Sequence, residues 1–329
     1  MDLTEFRAYL EQNQPMFRAW GNFVAQEISV VIKSLEESNS AFYVRIPVQP
    51  RVKEIESALH KVGRKGYTDP VVQMTDLVGV RFVLLLSDHV QELSKLVREH
   101  PKWRAQVSKD IADERLKNPK IFDYQSQHFE VRPLEDFENN GITISANICC
   151  EIQIRTLLQH AYAELVHDSI YKPTGPVNPM AERQVAKSMA LMETTDDLFC
   201  QTMGLLSAAA RPRDEIYEDL RQLYRSLIGA EYMRPDLRSN LSLLEEYQDM
   251  FAEDLVARIK EFVQTKTYLV SKIRARSKLT GLFSQPTVLF VYWLVTQRDV
   301  DNIVQTWPLP GFSKDLNLIL SDLDRSPSY

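Results

Sequence analysis

The sequence predicts an α+β fold, a mixed sheet flanked by helices, followed by an all-helical region. Three observations carry this. Up to Thr156, β-branched and aliphatic runs alternate with segments of helical period. The stretch PTGPVNP, from Pro173, reads as a turn or linker, and no strand pattern recurs beyond it. After it, long segments place apolar residues at helical spacing. The expected division is a sheet domain over residues 1–175 and a helical domain over 176–329.

Taken in order, Trp20, Phe23, Val24, Ile28 and Val31 recur at helical spacing between Met16 and Leu35. FYVRIPV, from Phe42 to Val48, is short and extended. In RVKEIESALHKVGRKGY, the residues Val52, Ile55, Leu59 and Val62 share a helical face opposite Arg51, Lys53, Ser57 and Lys61. Leu77–Leu86 (LVGVRFVLLL) is nearly continuously aliphatic and reads as a strand buried on both faces. A helix over Asp88–Glu99 and a strand at WRAQVSKD follow, then a polar loop over Asp113–Asp123. QHFEVRP and ITISANICCEIQIRT alternate as two more strands, the second entering a helix with Leu157, Leu158, Ala161 and Leu165. Met180–Ala209, Asp214–Ile228 and Ser239–Lys272 read as helices. The last carries a stripe of Leu244, Tyr247, Phe251, Leu255, Ile259 and Phe262.

Composition narrows the function. With 329 residues, 44% of them hydrophobic, the chain can bury at least one full core. A net charge of −6 argues against a surface given over to nucleic acid or anionic membrane, though not against a local basic cleft. The N-terminus lacks the apolar core of a signal peptide, and the most apolar run, Thr287–Val295, is about half a membrane span. Three cysteines, Cys149, Cys150 and Cys200, make a poor disulfide framework. A cytoplasmic protein without membrane contact is the expectation.

Lys53, Ser57 and Lys61, four apart, stack three donors in one column suited to a polyphosphate, with Arg51, Arg64 and Lys65 adjoining. The plain alternative is a solvated basic face. Asp76 sits just before the aliphatic run and Arg81 inside it, where a charge needs a partner or ligand. Glu151, Gln153 and Arg155 share one face of a strand. Two carboxylates at neighbouring strand ends, Asp76 and Glu151, suit Mg²⁺ in phosphoryl chemistry. An internal salt bridge of either with Arg81 or Arg155 is the alternative. His167-Asp168 is a dyad used by metal phosphohydrolases, but six histidines in the chain make a poor ligand supply. Cys149 and Cys150 read as inert core residues on opposite faces of a strand. Basic residues in the C-terminal half, such as Arg211, Arg213, Arg221, Arg225, Lys272, Arg274, Arg276 and Lys278, read as a solvated face rather than an RNA patch.

In order along the chain stand Arg51-x-Lys53-x-x-x-Ser57-x-x-x-Lys61, TDLVGVRFV, Pro119-Lys120 with YQSQH, EIQIRT, and AELVHDSIYK. Together they resemble the nucleotidyltransferase-like synthetase domain of RelA/SpoT homologues over Phe42–Lys172. The resemblance implies a GTP pyrophosphokinase-like transferase: the 3′-hydroxyl of GTP or GDP attacks the β-phosphorus of ATP, making a (p)ppGpp alarmone and releasing AMP. It implies Arg51, Lys53, Ser57, Lys61, Arg64 and Arg81 at ATP, and Asp76 and Glu151 on Mg²⁺, with Glu151 also the base. Tyr124 would stack on the acceptor base, and Lys120, His128, Gln153 and Arg155 would contact the acceptor. Guanosine-alarmone makers usually carry Asn-Gly before that tyrosine, where this chain has Phe122-Asp123. Toxic relatives modify the 3′ end of tRNA or an adenosine nucleotide instead, and a non-catalytic nucleotide sensor is a third possibility. The C-terminal helices would serve a homo-oligomer or a regulatory partner.

Overall fold

A computed structural model describes residues 2–38, 44–122, 126–166, 178–278 and 281–327. Its contacts divide the chain into two compact units, Met1–Met203 and Gly204–Tyr329. The division expected from composition lies at residues 175/176. The observed division lies further on because residues as late as Cys200 pack within the first unit.

In chain order the first unit begins with helices α1 (Leu3–Gln12) and α2 (Gln14–Ser38), strand β1 (Arg51–Val52), α3 (Ile55–Lys65) and α4 (Pro70–Gln73). Then come β2 (Val78–Leu84), α5 (Ser87–Glu99), β3 (Trp103–Lys109), α6 (Ile111–Lys117), β4 (Gln127–Pro133), β5 (Phe137–Asn139), β6 (Ile142–Ile144), β7 (Cys150–Thr156) and α7 (Leu157–Val166). Helix α8 (Pro179–Leu227) starts in this unit and continues into the next.

Five strands form one mixed sheet in the order β1-β2-β7-β4-β3, with β2 and β7 parallel and the other pairs antiparallel. Period-two alternation gives the sheet two unlike faces. Val78, Val80, Phe82, Phe129, Val131, Cys150, Ile152 and Ile154 point to one side and are buried in a core shared with Trp20, Val24 and Ile28 of α2 and Val90, Leu93 and Val97 of α5. The other face carries Gly79, Arg81, Val83, Glu151, Gln153, Arg155, His128 and Glu130, mostly polar, with Val83 buried beside Arg155. Strand β2 is therefore not buried on both faces as its aliphatic run suggested, for Arg81 is exposed on the polar side.

Two glycines fix the region of β1 and α3. A Cβ on Gly21 would lie 2.9 Å from Pro50 Cβ and 3.0 Å from Val78 Cγ1, so α2 can approach β1 and β2 only with glycine there. Gly66 closes α3 in the left-handed region at φ 66° and donates its N–H to the Val62 carbonyl.

Other expectations shift in detail. The expected loop at Asp113–Asp123 overlaps most of α6, and the expected strand ITISANICCEIQIRT is two, β6 and β7. β6 pairs with β5 in a separate hairpin turned by Asn140 (φ 50°) and Gly141 (φ 76°), an Asn-Gly turn. Phe42, Tyr124, the His167-Asp168 dyad and Lys172 lie outside the described residues.

The second unit is all helical: the end of α8, then α9 (Leu237–Glu246), α10 (Leu255–Thr265), α11 (Tyr268–Arg276), α12 (Val288–Gln297), α13 (Val300–Thr306) and α14 (Ser313–Asp322). Val288–Val295 of α12, the most apolar run, is buried on every side, ringed by residues of α8 to α11, α13 and α14. The expected helix Ser239–Lys272 is broken into α9, α10 and the start of α11, yet its stripe holds: Leu244, Tyr247, Leu255 and Ile259 are buried and Phe251 and Phe262 pack against them. The two helices expected over Met180–Ala209 and Asp214–Ile228 are one, running through Pro212. No helix among the described residues is long and apolar enough to cross a membrane.

Several basic residues of this unit serve its structure. Arg276 and Lys272 pair with Asp322, which also accepts from Tyr292 at 2.6 Å. Arg213 pairs with Asp214 and Glu245, and Arg221 with Glu218. Arg274 donates to the Leu227 and Ile228 carbonyls, capping the end of α8.

Candidate functional site

Parallel pairing of β2 and β7 puts their N-terminal ends side by side, with Gly79 opposite Glu151. Asp76 lies in the turn entering β2, and Glu151 is the second residue of β7. The two carboxylates thus stand at one end of the sheet, near enough for the Asp76 charge to be felt by Glu151.

Asp76 is held by the two lysines of the basic segment. Its Oδ2 accepts from Lys53 Nζ at 2.9 Å and from Lys61 Nζ at 2.8 Å. Burial drives the Asp76 carboxyl up, but the hydrogen bonds and charges of Lys61 and Lys53 outweigh it and leave it below the usual aspartate range. Oδ1 is buried and has no hydrogen-bond partner among the described residues. The salt bridge expected as the alternative, to Arg81 or Arg155, does not form; lysines from a different element take the place. The column itself is altered, since α3 starts at Ile55. Lys53 sits just ahead of the helix, its N–H bonded to the Leu77 carbonyl at 2.9 Å, while Ser57 is on the helix and exposed.

Glu151 is half-enclosed. Oε2 accepts from Gln153 Nε2 at 2.7 Å, and Oε1 lies 3.4 Å from His128 Nδ1. Burial pushes this carboxyl up, and His128 and Gln153 more than offset that, so it lies below the usual glutamate range and is ionised at neutral pH. His128 reaches it because antiparallel pairing sets His128 opposite Gln153.

Arg81 and Arg155 project from the same sheet face toward α7. Arg81 Nη1 is 3.2 Å and Arg155 Nη2 3.5 Å from Oε1 of Glu164, and His160 Nδ1 is 3.5 Å from the same oxygen. Burial first, then the Arg155 and Arg81 charges, holds His160 below the usual imidazole range. His160 and Glu164 escaped the sequence reading, although a His/Glu pair four apart on the helix after a polar-faced strand was a visible signal. Arg51 of β1, Arg64 near the end of α3 and Lys120 after α6 are exposed. The structure therefore gathers Lys53, Lys61, Asp76, Glu151, Gln153 and His128 at one end of the sheet, and Arg81 with Arg155 at Glu164.

Cys149 and Cys150 are buried; burial pushes the Cys149 thiol up to about 12, consistent with an inert core role. A cleft of about 420 Å³ lined by α2 and the β5–β6 hairpin, including Arg18, Asn22 and Asn139, holds none of the candidate residues.

With this geometry in place, residues 50–176 match the family described as the region found in RelA / SpoT proteins. Over 151 residues the chain is 25% identical to the GTP pyrophosphokinase YwaC of Bacillus subtilis (strain 168), covering 45% of this chain and 68% of that one. A GTP pyrophosphokinase family protein from Streptococcus pneumoniae superposes with a TM-score of 0.52 at 22% identity, covering 61% of this chain and 96% of that one. The small alarmone synthetase 1 of Bacillus subtilis bound to its product pppGpp gives 0.50 at 21% identity, with 59% and 96% covered. At these identities the structures share the fold. From residue 50 to residue 176, this chain is similar to the RelA/SpoT region.

Proposed function

We propose that the first unit is a pyrophosphokinase of the alarmone-synthetase type, transferring the β,γ-pyrophosphate of ATP to the 3′-hydroxyl of GTP or GDP. The observation that carries this is the pair of carboxylates at adjoining parallel strand ends, one held by Lys53 and Lys61 and keeping a buried oxygen without a hydrogen-bond partner among the described residues. The names of the relatives point to the same reaction class.

Glu151, ionised and oriented by Gln153, takes the proton of the acceptor 3′-hydroxyl. The freed oxygen bonds to the β-phosphorus while the bond from that phosphorus to the oxygen bridging to the α-phosphorus breaks. AMP leaves with the bridging oxygen. Lys53 and Lys61 turn from Asp76 toward the transferred phosphates, and catalysis rests on position and charge. Asp76 and Glu151 fit a Mg²⁺ ion, since hard oxygen donors, with the Asp76 Oδ1 free of a hydrogen-bond partner among the described residues, suit it. When bound, that ion neutralises phosphate charge.

Phe122-Asp123, in place of the usual Asn-Gly, supports a second acceptor class, an adenosine nucleotide or the 3′ end of tRNA. Incubating the chain with labelled ATP and a panel of GDP, GTP, ATP and deacylated tRNA decides both points. Transfer to GDP or GTP supports the leading reading, transfer only to tRNA or ATP the second, and no transfer to any acceptor overturns the enzyme.

A further inference from the structure

Helix α8 meets α7, the end of β7 and the start of α5 through one face. Met189 packs in a buried cluster with Tyr162 and Val166 of α7. Two turns on, Asp196 Oδ2 accepts the Thr156 hydroxyl at 2.7 Å, and one turn further Cys200 Sγ lies 3.1 Å from Ser87 Oγ at the start of α5. Asp196 is 3% exposed and its Oδ1 is buried without a hydrogen-bond partner among the described residues. A buried carboxylate whose one hydrogen-bond partner among the described residues is a neutral hydroxyl is costly.

Thr156 is the joint that this carboxylate holds. It is the last residue of β7, the strand of Glu151, Gln153 and Arg155, and it immediately precedes α7, the helix of His160 and Glu164. Its N–H donates to Gln159 Oε1 at 2.9 Å and its Oγ1 accepts from the Gln159 N–H at 3.1 Å, a reciprocal cap that sets the angle between strand and helix. The hydroxyl O–H, unused in that cap, donates to Asp196.

We propose that Asp196 is a positioning residue of the site, acting through Thr156 to fix where α7 leaves β7 and so where Glu164 meets Arg81 and Arg155. As a statement about catalysis it rests on the pyrophosphokinase reading; as a statement about α7 it does not. Helix α8 is then a working part of the first unit rather than a tether to the second.

Two pairs of variants in the full-length chain test this. Asp196→Leu and Thr156→Val remove one partner each, while Asp196→Asn and Thr156→Ser keep an acceptor or a hydroxyl in place. Hydrogen exchange at the amides of Thr156 to Glu164 should quicken at least tenfold in the first pair, with β3 unchanged, and stay native in the second. Turnover should fall about tenfold in the first pair with the KM for ATP nearly unchanged, and recover in the second. Native exchange at α7 in Asp196→Leu overturns the proposal, as does an Asp196→Asn variant as impaired as Asp196→Leu. Exchange needs no substrate, so a native chain that transfers to no acceptor overturns the reaction assigned above while the exchange result still decides the role of Asp196.

Discussion

At the scale of single residues, the carboxylates divide by what surrounds them. Asp76 and Glu151 are partly buried among donors that favour the charged form, and Asp196 is buried with one hydroxyl. Asp76→Asn and Glu151→Gln should each lower turnover at least about a hundredfold, the scale of one preorganised electrostatic contact. ATP binding, followed by calorimetry, should survive better than turnover; an active Glu151→Gln enzyme would remove Glu151 from the role of base. Asp196 predicts a pH effect of opposite sign to an ion-paired carboxylate. Burial pushes its carboxyl up to about 6, with Asp197 and Glu193 adding to the rise while the Thr156 hydroxyl and Arg115 oppose it. The unfolded chain ionises this group near 3.8, so the native state holds the extra proton between there and about 6, and stability drawn from it is lost as pH rises through that window. Asp196→Asn should therefore raise Tm over the native chain most above pH 6, the gap shrinking toward pH 4. A gap that does not change with pH would show that Asp196 ionises normally in the fold.

Elements were legible where one period dominated. The alternation in QHFEVRP gave β4 and its two faces, and the stripe from Leu244 to Phe262 named much of the second core. The same stripe hid the breaks between α9, α10 and α11, because apolar spacing reports which side is buried and not whether the backbone is continuous. The gap expected between Ala209 and Asp214 erred in the other direction: α8 crosses it, through Pro212, at the loss of one backbone hydrogen bond. The carboxylate pair was readable, since strand-end positions follow from the pattern; its lysine partners were not, because they depend on how α3 is laid against β2. That placement depends partly on the turn after α3. Gly66→Ala keeps every contact but forces a side chain into the left-handed region, so it should cost about 1 kcal/mol in denaturant unfolding. A neutral result would mean that α3 can end otherwise.

For the molecule as a whole, the decisive point is where the first unit stops. A boundary drawn at the turn-rich segment before Pro179 follows composition, and one drawn between Met203 and Gly204 follows contacts. They differ by the N-terminal half of α8, which supplies Met189 to the cluster with Tyr162 and Val166, Asp196 to Thr156 and Cys200 to Ser87. A chain ending at residue 175 would leave Tyr162 and Val166, now 1% and 2% exposed, open to water, and would strip the hydroxyl of Thr156 of its acceptor. Exposing side chains of this size costs about 1.5–3 kcal/mol each, a large part of the margin of a domain. A chain ending at Met203 keeps all of these contacts, and the second helical core has its own buried centre in α12. The chain of residues 1–203 should therefore unfold cooperatively near the native midpoint of its own unit, and residues 1–175 should melt earlier or aggregate. Differential scanning calorimetry of both pieces beside the full chain makes the comparison. Equal melting of the two pieces would show that α8 adds nothing to the first unit, and would place the working boundary back at the turn where composition first put it.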